Sequence, residues 1–161
     1  MTIRRALGSG LLGIVSACGG NGPASPSAPP LSISGQWRAN GGEFALQLTL
    51  RETPDPAVRP TYRDVEGIGS MANSVAMWSH SITVWGFNQS QSDAAFYGGS
   101  MPTILLNLDC ADPRPCEGLE PEYWMQFRGA FVDPRTLEGT LEIGRTSSLE
   151  RRNVRLRFTG S

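Results

Sequence analysis

The stretch Phe44-Ala45-Leu46-Gln47-Leu48-Thr49-Leu50 carries a large apolar side chain at every second position. Successive side chains of a β-strand point to opposite faces, so this period of two predicts a strand with one apolar and one polar face. The same alternation recurs in three later segments, at 123–131, 137–143 and 154–158. Turn-forming residues separate the runs, and no sustained helical period follows residue 18. The sequence therefore predicts an all-β fold.

The number of strand-like runs favours one β architecture. The runs lie at 33–39, 43–51, 63–71, 74–79, 80–88, 95–99, 102–110, 122–132, 136–144 and 151–158. Because those at 63–71, 74–79 and 95–99 are the most weakly patterned, we expect eight or nine strands. An antiparallel sheet of this size avoids open edges by closing on itself or by forming two packed layers. We favour closure, so residues 31–161 are expected to form one antiparallel meander in a small barrel.

Alternation alone does not say which face lies inside. A transmembrane barrel has the same period, with the apolar side chains on the outside. Such barrels carry aromatic girdles, which this sequence lacks, and the chain ends in Phe158-Thr159-Gly160-Ser161 instead of an aromatic residue. We therefore expect the apolar face to form the core.

The N-terminus has a different organisation. Arg4 and Arg5 precede an apolar run over residues 6–15, and small residues then lead to a cysteine in Val15-Ser16-Ala17-Cys18. The run is shorter than the roughly 20 residues that a membrane-spanning helix needs. This order resembles the signal peptide and lipobox of bacterial lipoproteins. The resemblance implies cleavage of the signal peptide 1–17 and attachment of acyl chains such as palmitate to Cys18. The alternative is an ordinary signal peptide that is cut nearby.

Residues 18–30 are rich in Gly, Pro and Ser and are expected to form a disordered tether between the lipid and the barrel. Gly19 follows the cysteine, and in lipoproteins a residue other than Asp there implies sorting to the outer membrane in a cell with two membranes. The predicted location is thus the cell envelope, with the membrane as a partner through the N-terminal lipid. The 14 basic residues fall to 12 without Arg4 and Arg5, against 15 acidic ones, so no nucleic-acid partner is expected.

The cysteine count agrees with export. Three cysteines are present, and use of Cys18 for lipid leaves Cys110 and Cys116 as a pair. A disulfide between them would close a short proline-containing loop and add about 2 kcal/mol of stability. A metal site would need more ligands than the single His80 supplies, so neither a metal nor another cofactor is expected.

Gly35-Gln36-Trp37 lies in the first expected strand. This Gly-x-Trp motif resembles the opening of lipocalins, and with Ser34 it is also similar to the start of avidin-type barrels. The resemblance implies a small antiparallel barrel with Trp37 in its core. It implies no particular ligand.

Candidate functional residues are few. His80 is the only side chain suited to proton transfer at neutral pH, and no serine lies in a nucleophile-elbow pattern, so an enzyme such as a hydrolase ranks last. The aromatic residues are more informative, because parity prevents all of them from pointing inward. We interpret Trp78, Trp85, Phe87 and Trp124 as a candidate ligand or partner surface.

Two functions remain open. The first is a binding module, in which the tethered barrel holds a small apolar ligand or docks a protein of the envelope. The second is a structural envelope lipoprotein whose barrel is filled and binds no ligand. An apolar cavity of a few hundred cubic ångströms would favour the first.

Overall fold

The computed structural model describes residues 30–58, 61–90, 103–110, 123–145 and 149–161, and within them the chain is all-β, as expected. The eight strands are β1 (Gly35–Gly41), β2 (Phe44–Pro54), β3 (Arg63–Asn73), β4 (Trp78–Asn88), β5 (Ile104–Cys110), β6 (Tyr123–Asp133), β7 (Thr136–Arg145) and β8 (Arg151–Gly160). No helix in these ranges has the length and hydropathy of a membrane-crossing segment.

Each strand pairs antiparallel with the next, and β1 also pairs with β8. The sheet is therefore a closed eight-stranded meander, which confirms the predicted barrel. The first and last strands close the sheet, with Ala39 of β1 opposite Phe158 of β8 in the register. It leaves no free sheet edge in the described chain, and free edges are the places where sheets aggregate.

One expected strand is absent. Residues 74–77, assigned from the sequence to a separate strand at 74–79, form the turn between β3 and β4. The Asn73 side chain causes this, because its Oδ1 accepts hydrogen bonds from the backbone amides of Val75 at 2.9 Å and Ala76 at 2.8 Å. Met77 completes the turn with a φ of 57°. The expected run at 95–99 lies outside the described residues, as do the expected signal peptide 1–17 and most of the expected tether 18–30.

Apolar side chains from all eight strands occupy the barrel interior. The alternating positions of β2 point inward, and the core contains Trp37, Leu46, Leu48, Leu50, Val65, Met71, Ile82, Val84, Ile104, Leu106, Leu108, Met125, Phe127, Leu137, Leu141, Val154, Leu156 and Phe158. At its centre the rings of Phe127 and Phe158 meet edge to face, with centroids 5.0 Å apart. Gly139 makes room for them, since a Cβ there would lie 2.7 Å from the Phe127 ring.

One end of the barrel, here called the closed end, is covered by the chain that precedes β1. Ile33 is fully buried there, and its carbonyl accepts a 2.6 Å hydrogen bond from the Trp37 indole. The Glu52 carboxylate accepts hydrogen bonds from the Ile33 amide at 2.9 Å and the Ser32 hydroxyl at 2.7 Å. Segment 31–34 is therefore fastened across this end, and the opposite end, called the mouth, receives no such cover from it.

Candidate functional site

The mouth is built where strand ends distant in sequence meet. β1, β3, β5 and β7 end there and β2, β4, β6 and β8 begin there, so the ends of all eight strands surround one opening. Phe44 at the start of β2, Trp78 at the start of β4 and Ile143 near the end of β7 form its apolar lining. Glu43, Arg151 and Arg152 lie at its rim.

Aromatic rings form the floor of the mouth. Phe44 is buried and Trp78 is half-buried, with ring centroids 6.3 Å apart, and His80 lies 5.2 Å from Trp78 on the same inward face of β4. The structure thus packs the His80 ring against the Trp78 indole, and His80 is not among the residues that line the pocket.

An ion pair spans the rim. Arg152 of β8 pairs with Glu43, and its guanidinium carbon lies 5.6 Å from the centre of the Phe44 ring. Burial raises the pKa of Glu43, but a backbone hydrogen bond and the Arg152 guanidinium outweigh burial and hold that pKa below its ordinary value. Glu43 is therefore ionised at neutral pH, which keeps Arg152 over the aromatic floor.

These groups enclose a pocket of about 390 Å³. That volume lies within the roughly 300–1,000 Å³ of small-molecule sites, although near the lower limit. The walls combine apolar side chains with a few charged groups, which is the composition typical of such sites. Glu43 is the most enclosed charged group of the rim, 11% exposed, whereas Arg151 and Arg152 are 64% and 58% exposed. The rim therefore presents guanidinium groups to an approaching molecule, together with the exposed carboxylate of Glu150.

The four aromatic residues proposed from sequence do not form one surface. Trp78 lies in the mouth, whereas Trp85 and Phe87 point outward from β4. Trp85 is 55% exposed and donates a 2.7 Å hydrogen bond to Asp109, while Phe87 packs on Tyr62 with centroids 5.5 Å apart.

Trp124 occupies a third place, on the outside of β6. Its ring covers Gly144 of β7, where an added Cβ would lie 2.3 Å from the indole. The Arg151 guanidinium lies 5.8 Å from the ring centre. Trp124 is therefore packed against its own sheet, and of the four aromatic residues proposed from sequence as a surface only Trp78 lines the pocket.

The motif residues Gly35 and Trp37 lie at the closed end. Gly35 has a φ of 132°, which only glycine adopts readily, and Trp37 is 4% exposed. The indole packs edge to face on Phe131, with centroids 6.1 Å apart, and Gly160 of the last strand approaches it closely enough that an added Cβ would be 3.0 Å away.

The cysteines are only partly described. Cys110 ends β5 on the side of the barrel that leads to the mouth. Cys116 and Cys18 lie outside the described residues, so the disulfide and the lipidation remain predictions. Within the described ranges, no three His, Cys, Asp or Glu side chains lie close enough together to hold a metal ion.

The sequence analysis missed the polar groups that organise the two ends of the barrel. Glu52, Asn88 and Arg152 all fall on inward-facing positions of otherwise apolar strand faces. Strand parity alone could have identified these residues. A polar side chain on the core face of a strand is costly to bury unless it has a hydrogen-bond or ion-pair partner, so such a position predicts a polar contact. At the closed end Asn88 donates from Nδ2 to Glu52 at 2.5 Å and to the Leu31 carbonyl at 2.6 Å.

The sequence matches no protein family, and no curated protein shows significant similarity to it.

Proposed function

We propose that this protein is a lipid-anchored lipoprotein of the cell envelope whose barrel binds a small amphipathic molecule at its mouth. The observation that carries the proposal is the 390 Å³ pocket, with its aromatic floor and guanidinium rim. An apolar part of the ligand would contact Phe44, Trp78 and Ile143, and a polar part would meet the guanidinium of Arg152, which lies over the Phe44 ring.

The packing of the interior restricts where a ligand fits. Below the mouth, Leu46, Leu141 and Phe127 are at most 1% exposed and pack with the rest of the core. Interiors of this kind are close-packed, so a ligand entering deeper would have to displace side chains. The binding site is therefore the mouth, and its ligand is small or only partly enclosed.

The anchor supports a particular orientation of this site. The lipobox Val15-Ser16-Ala17-Cys18 and the short tether precede residue 31, and segment 31–34 enters the barrel at the closed end. A lipid on Cys18 would hold the closed end toward the membrane. The mouth would then open away from the membrane, where it meets soluble ligands or envelope partners.

Native mass spectrometry of the protein extracted in mild detergent tests the proposal. We expect a small molecule to co-purify with the wild type and to be lost from Trp78→Ala. Trp85→Ala is the matched control, because it removes another partly exposed indole that lies outside the mouth. Retention of the molecule by Trp78→Ala, or no bound molecule in any sample, would contradict the proposal.

A structural envelope lipoprotein is the second candidate, and the filled interior is the observation that favours it. Under this alternative the mouth is only the rim of a solid barrel. Trp78→Ala would then lower stability without changing any bound mass, whereas the binding proposal requires the bound mass to change. The bound mass separates the two readings, and a thermal melt recorded on the same samples measures the loss of stability that both predict.

A further inference from the structure

The outer surface of the barrel is divided by charge. The first side consists of the outward-facing side chains of β3, β4 and β5 and is called the acidic wall. Its ionisable members are Asp64, Glu66 and Asp109, and no arginine faces outward from these three strands in the described chain. Two large apolar side chains are exposed on it, Ile68 at 67% and Trp85 at 55%.

Trp85 is the centre of the acidic wall. Glu66 is its direct cross-strand neighbour on β3, and the Asp109 carboxylate accepts the 2.7 Å hydrogen bond from its indole. That bond fixes the ring and satisfies its only polar group, so what remains exposed is an aromatic surface between two carboxylates. A guanidinium group matches this arrangement, because it stacks on aromatic faces and pairs with carboxylates.

The opposite side of the barrel supplies guanidinium groups. The basic wall is defined as the outward-facing side chains of β7, β8 and β1, with Arg38, Arg151, Arg155 and Arg157 against Glu138 and Glu142. Both glutamates are already paired, with Arg157 at 3.2 Å and Arg151 at 3.0 Å. Arg38 and Arg155 make no ion pair within the described residues, so the wall keeps an excess of positive charge.

The basic wall also contains a groove. Arg155, Arg157, Glu138 and Thr140 flank it, and Gly139 and Leu156, which are partners in the β7–β8 register, lie at its floor. Its volume is about 470 Å³, enough to admit an indole ring. An aromatic side chain entering it would lie between two arginines.

We propose that the acidic wall of one copy docks on the basic wall of a second copy, with Trp85 inserted in the groove beside Arg155. The two walls centre on β4 and β8, which are four strands apart in the eight-stranded ring and so lie on opposite sides of the barrel. Each copy would thus use one wall for each neighbour, a head-to-tail contact that propagates in a row. Segment 31–34 covers an end of the barrel and leaves both walls clear.

The carboxylates of the acidic wall are not neutralised by the described arginines of the same barrel, so they are available to pair with arginines of a second copy. Arg51 on β2 is the register partner of Glu66, yet the two form no ion pair in the described chain. Asp64 has no ion-pair partner there either. The contact is therefore expected to depend on salt, since exposed charges are screened at about 8–10 Å under ordinary ionic strength.

Sedimentation velocity of the purified full-length protein in non-ionic detergent tests this proposal. The wild type is expected to show a mass that rises with protein concentration and falls as NaCl is raised. Trp85→Ala should weaken association by about tenfold or more, as removal of a central aromatic anchor does. Arg135→Glu, at the β6–β7 turn outside both walls, is the control for charge reversal and should associate as the wild type does.

The decisive sample mixes two variants. Glu66→Arg reverses a charge on the acidic wall, and Arg155→Glu reverses a charge on the basic wall. Each variant alone should therefore remain monomeric. Mixed together they should form dimers and nothing larger, because each retains one intact wall. If Glu66→Arg fails to fold, Asp109→Arg takes its place. A wild type that is monomeric at every concentration, association that Trp85→Ala leaves unchanged, or a mixture that stays monomeric would overturn the proposal.

Discussion

The Glu52 carboxylate accepts a 2.9 Å hydrogen bond from the backbone amide of Ile33, 19 residues earlier in the chain. Three further donors converge on the same carboxylate, from Ser32, Arg63 and Asn88. Its side chain is only 5% exposed, so one buried charge joins the segment before β1 to β2, β3 and β4. This contact closes one end of the barrel, opposite the mouth.

Replacement of Glu52 with Ala should destabilise the protein strongly. The Arg63 guanidinium and three other donors would lose their acceptor, and breaking a buried ion pair costs about 3–5 kcal/mol. Urea unfolding measures the loss. Hydrogen exchange of the Ile33 amide should also become faster in this variant, because the amide would lose the Glu52 carboxylate as its hydrogen-bond acceptor.

Glu138→Ala is the matched control for Glu52→Ala. Glu138 also pairs with an arginine, but the side chains of Glu138 and Arg157 are 49% and 64% exposed. Pairs of this kind contribute about 1 kcal/mol or less. Equal losses from Glu52→Ala and Glu138→Ala would contradict the role assigned to the closed end.

Phe127→Ala should be among the most damaging core substitutions. Phe127 is fully buried at the centre of the barrel, where it meets Phe158 and lies over Gly139. Removal of a buried phenyl ring costs about 3–5 kcal/mol through lost burial and the cavity that remains. Val132→Ala, at a position 58% exposed, should change the unfolding free energy by less than about 0.5 kcal/mol.

Acidification should weaken the rim of the mouth through Glu43. The pKa of Glu43 is lowered in the folded protein, so its contribution to stability is present above its ordinary pKa of 4.5 and is lost as pH falls through the folded value. Thermal melts between pH 7 and pH 3 should therefore show a smaller decline for Glu43→Gln than for the wild type. Identical pH profiles would contradict the ion pair with Arg152.

Met77→Gly should stabilise the protein. Met77 adopts a φ of 57° in the β3–β4 turn and is 86% exposed, so its side chain gains little from packing. A left-handed conformation costs a residue with a side chain about 1–2 kcal/mol, and glycine avoids this cost. Glycine loses more backbone entropy on folding than methionine does, which offsets part of the gain in stability. The expected gain is about 0.5–1 kcal/mol by urea unfolding, and a loss of stability would contradict it.

The sequence predicted the strands from local patterns and missed features that arise from closure. The alternation at Leu46, Leu48 and Leu50 correctly placed these side chains in the core, because strand parity is a property of neighbouring residues. Glu43 lies in the turn between β1 and β2, and its pairing with Arg152 depends on β1 meeting β8 when the ring closes, which no local pattern encodes.

The turn at 74–77 shows a different limit of the sequence patterns. Val75 and Met77 resemble strand residues by type, yet two hydrogen bonds to the Asn73 side chain turn the chain at that point. Likewise, strand parity showed that Trp78, Trp85, Phe87 and Trp124 do not all point inward, but it did not say which of them face the interior. Only the closed sheet puts Trp78 in the mouth and leaves Trp85 on the outer wall.

The location of ligand contact tests the central claim most directly, and the four tryptophans provide the probes. A ¹H–¹⁵N spectrum of the protein in deuterated detergent resolves their indole N–H signals, which are followed during titration with the apolar probe N-phenyl-1-naphthylamine. The account predicts that the Trp78 signal shifts in a saturable way while the Trp37 and Trp85 signals stay in place. A Trp78 signal that does not move, or equal shifts of all the indoles, would contradict a binding site at the mouth.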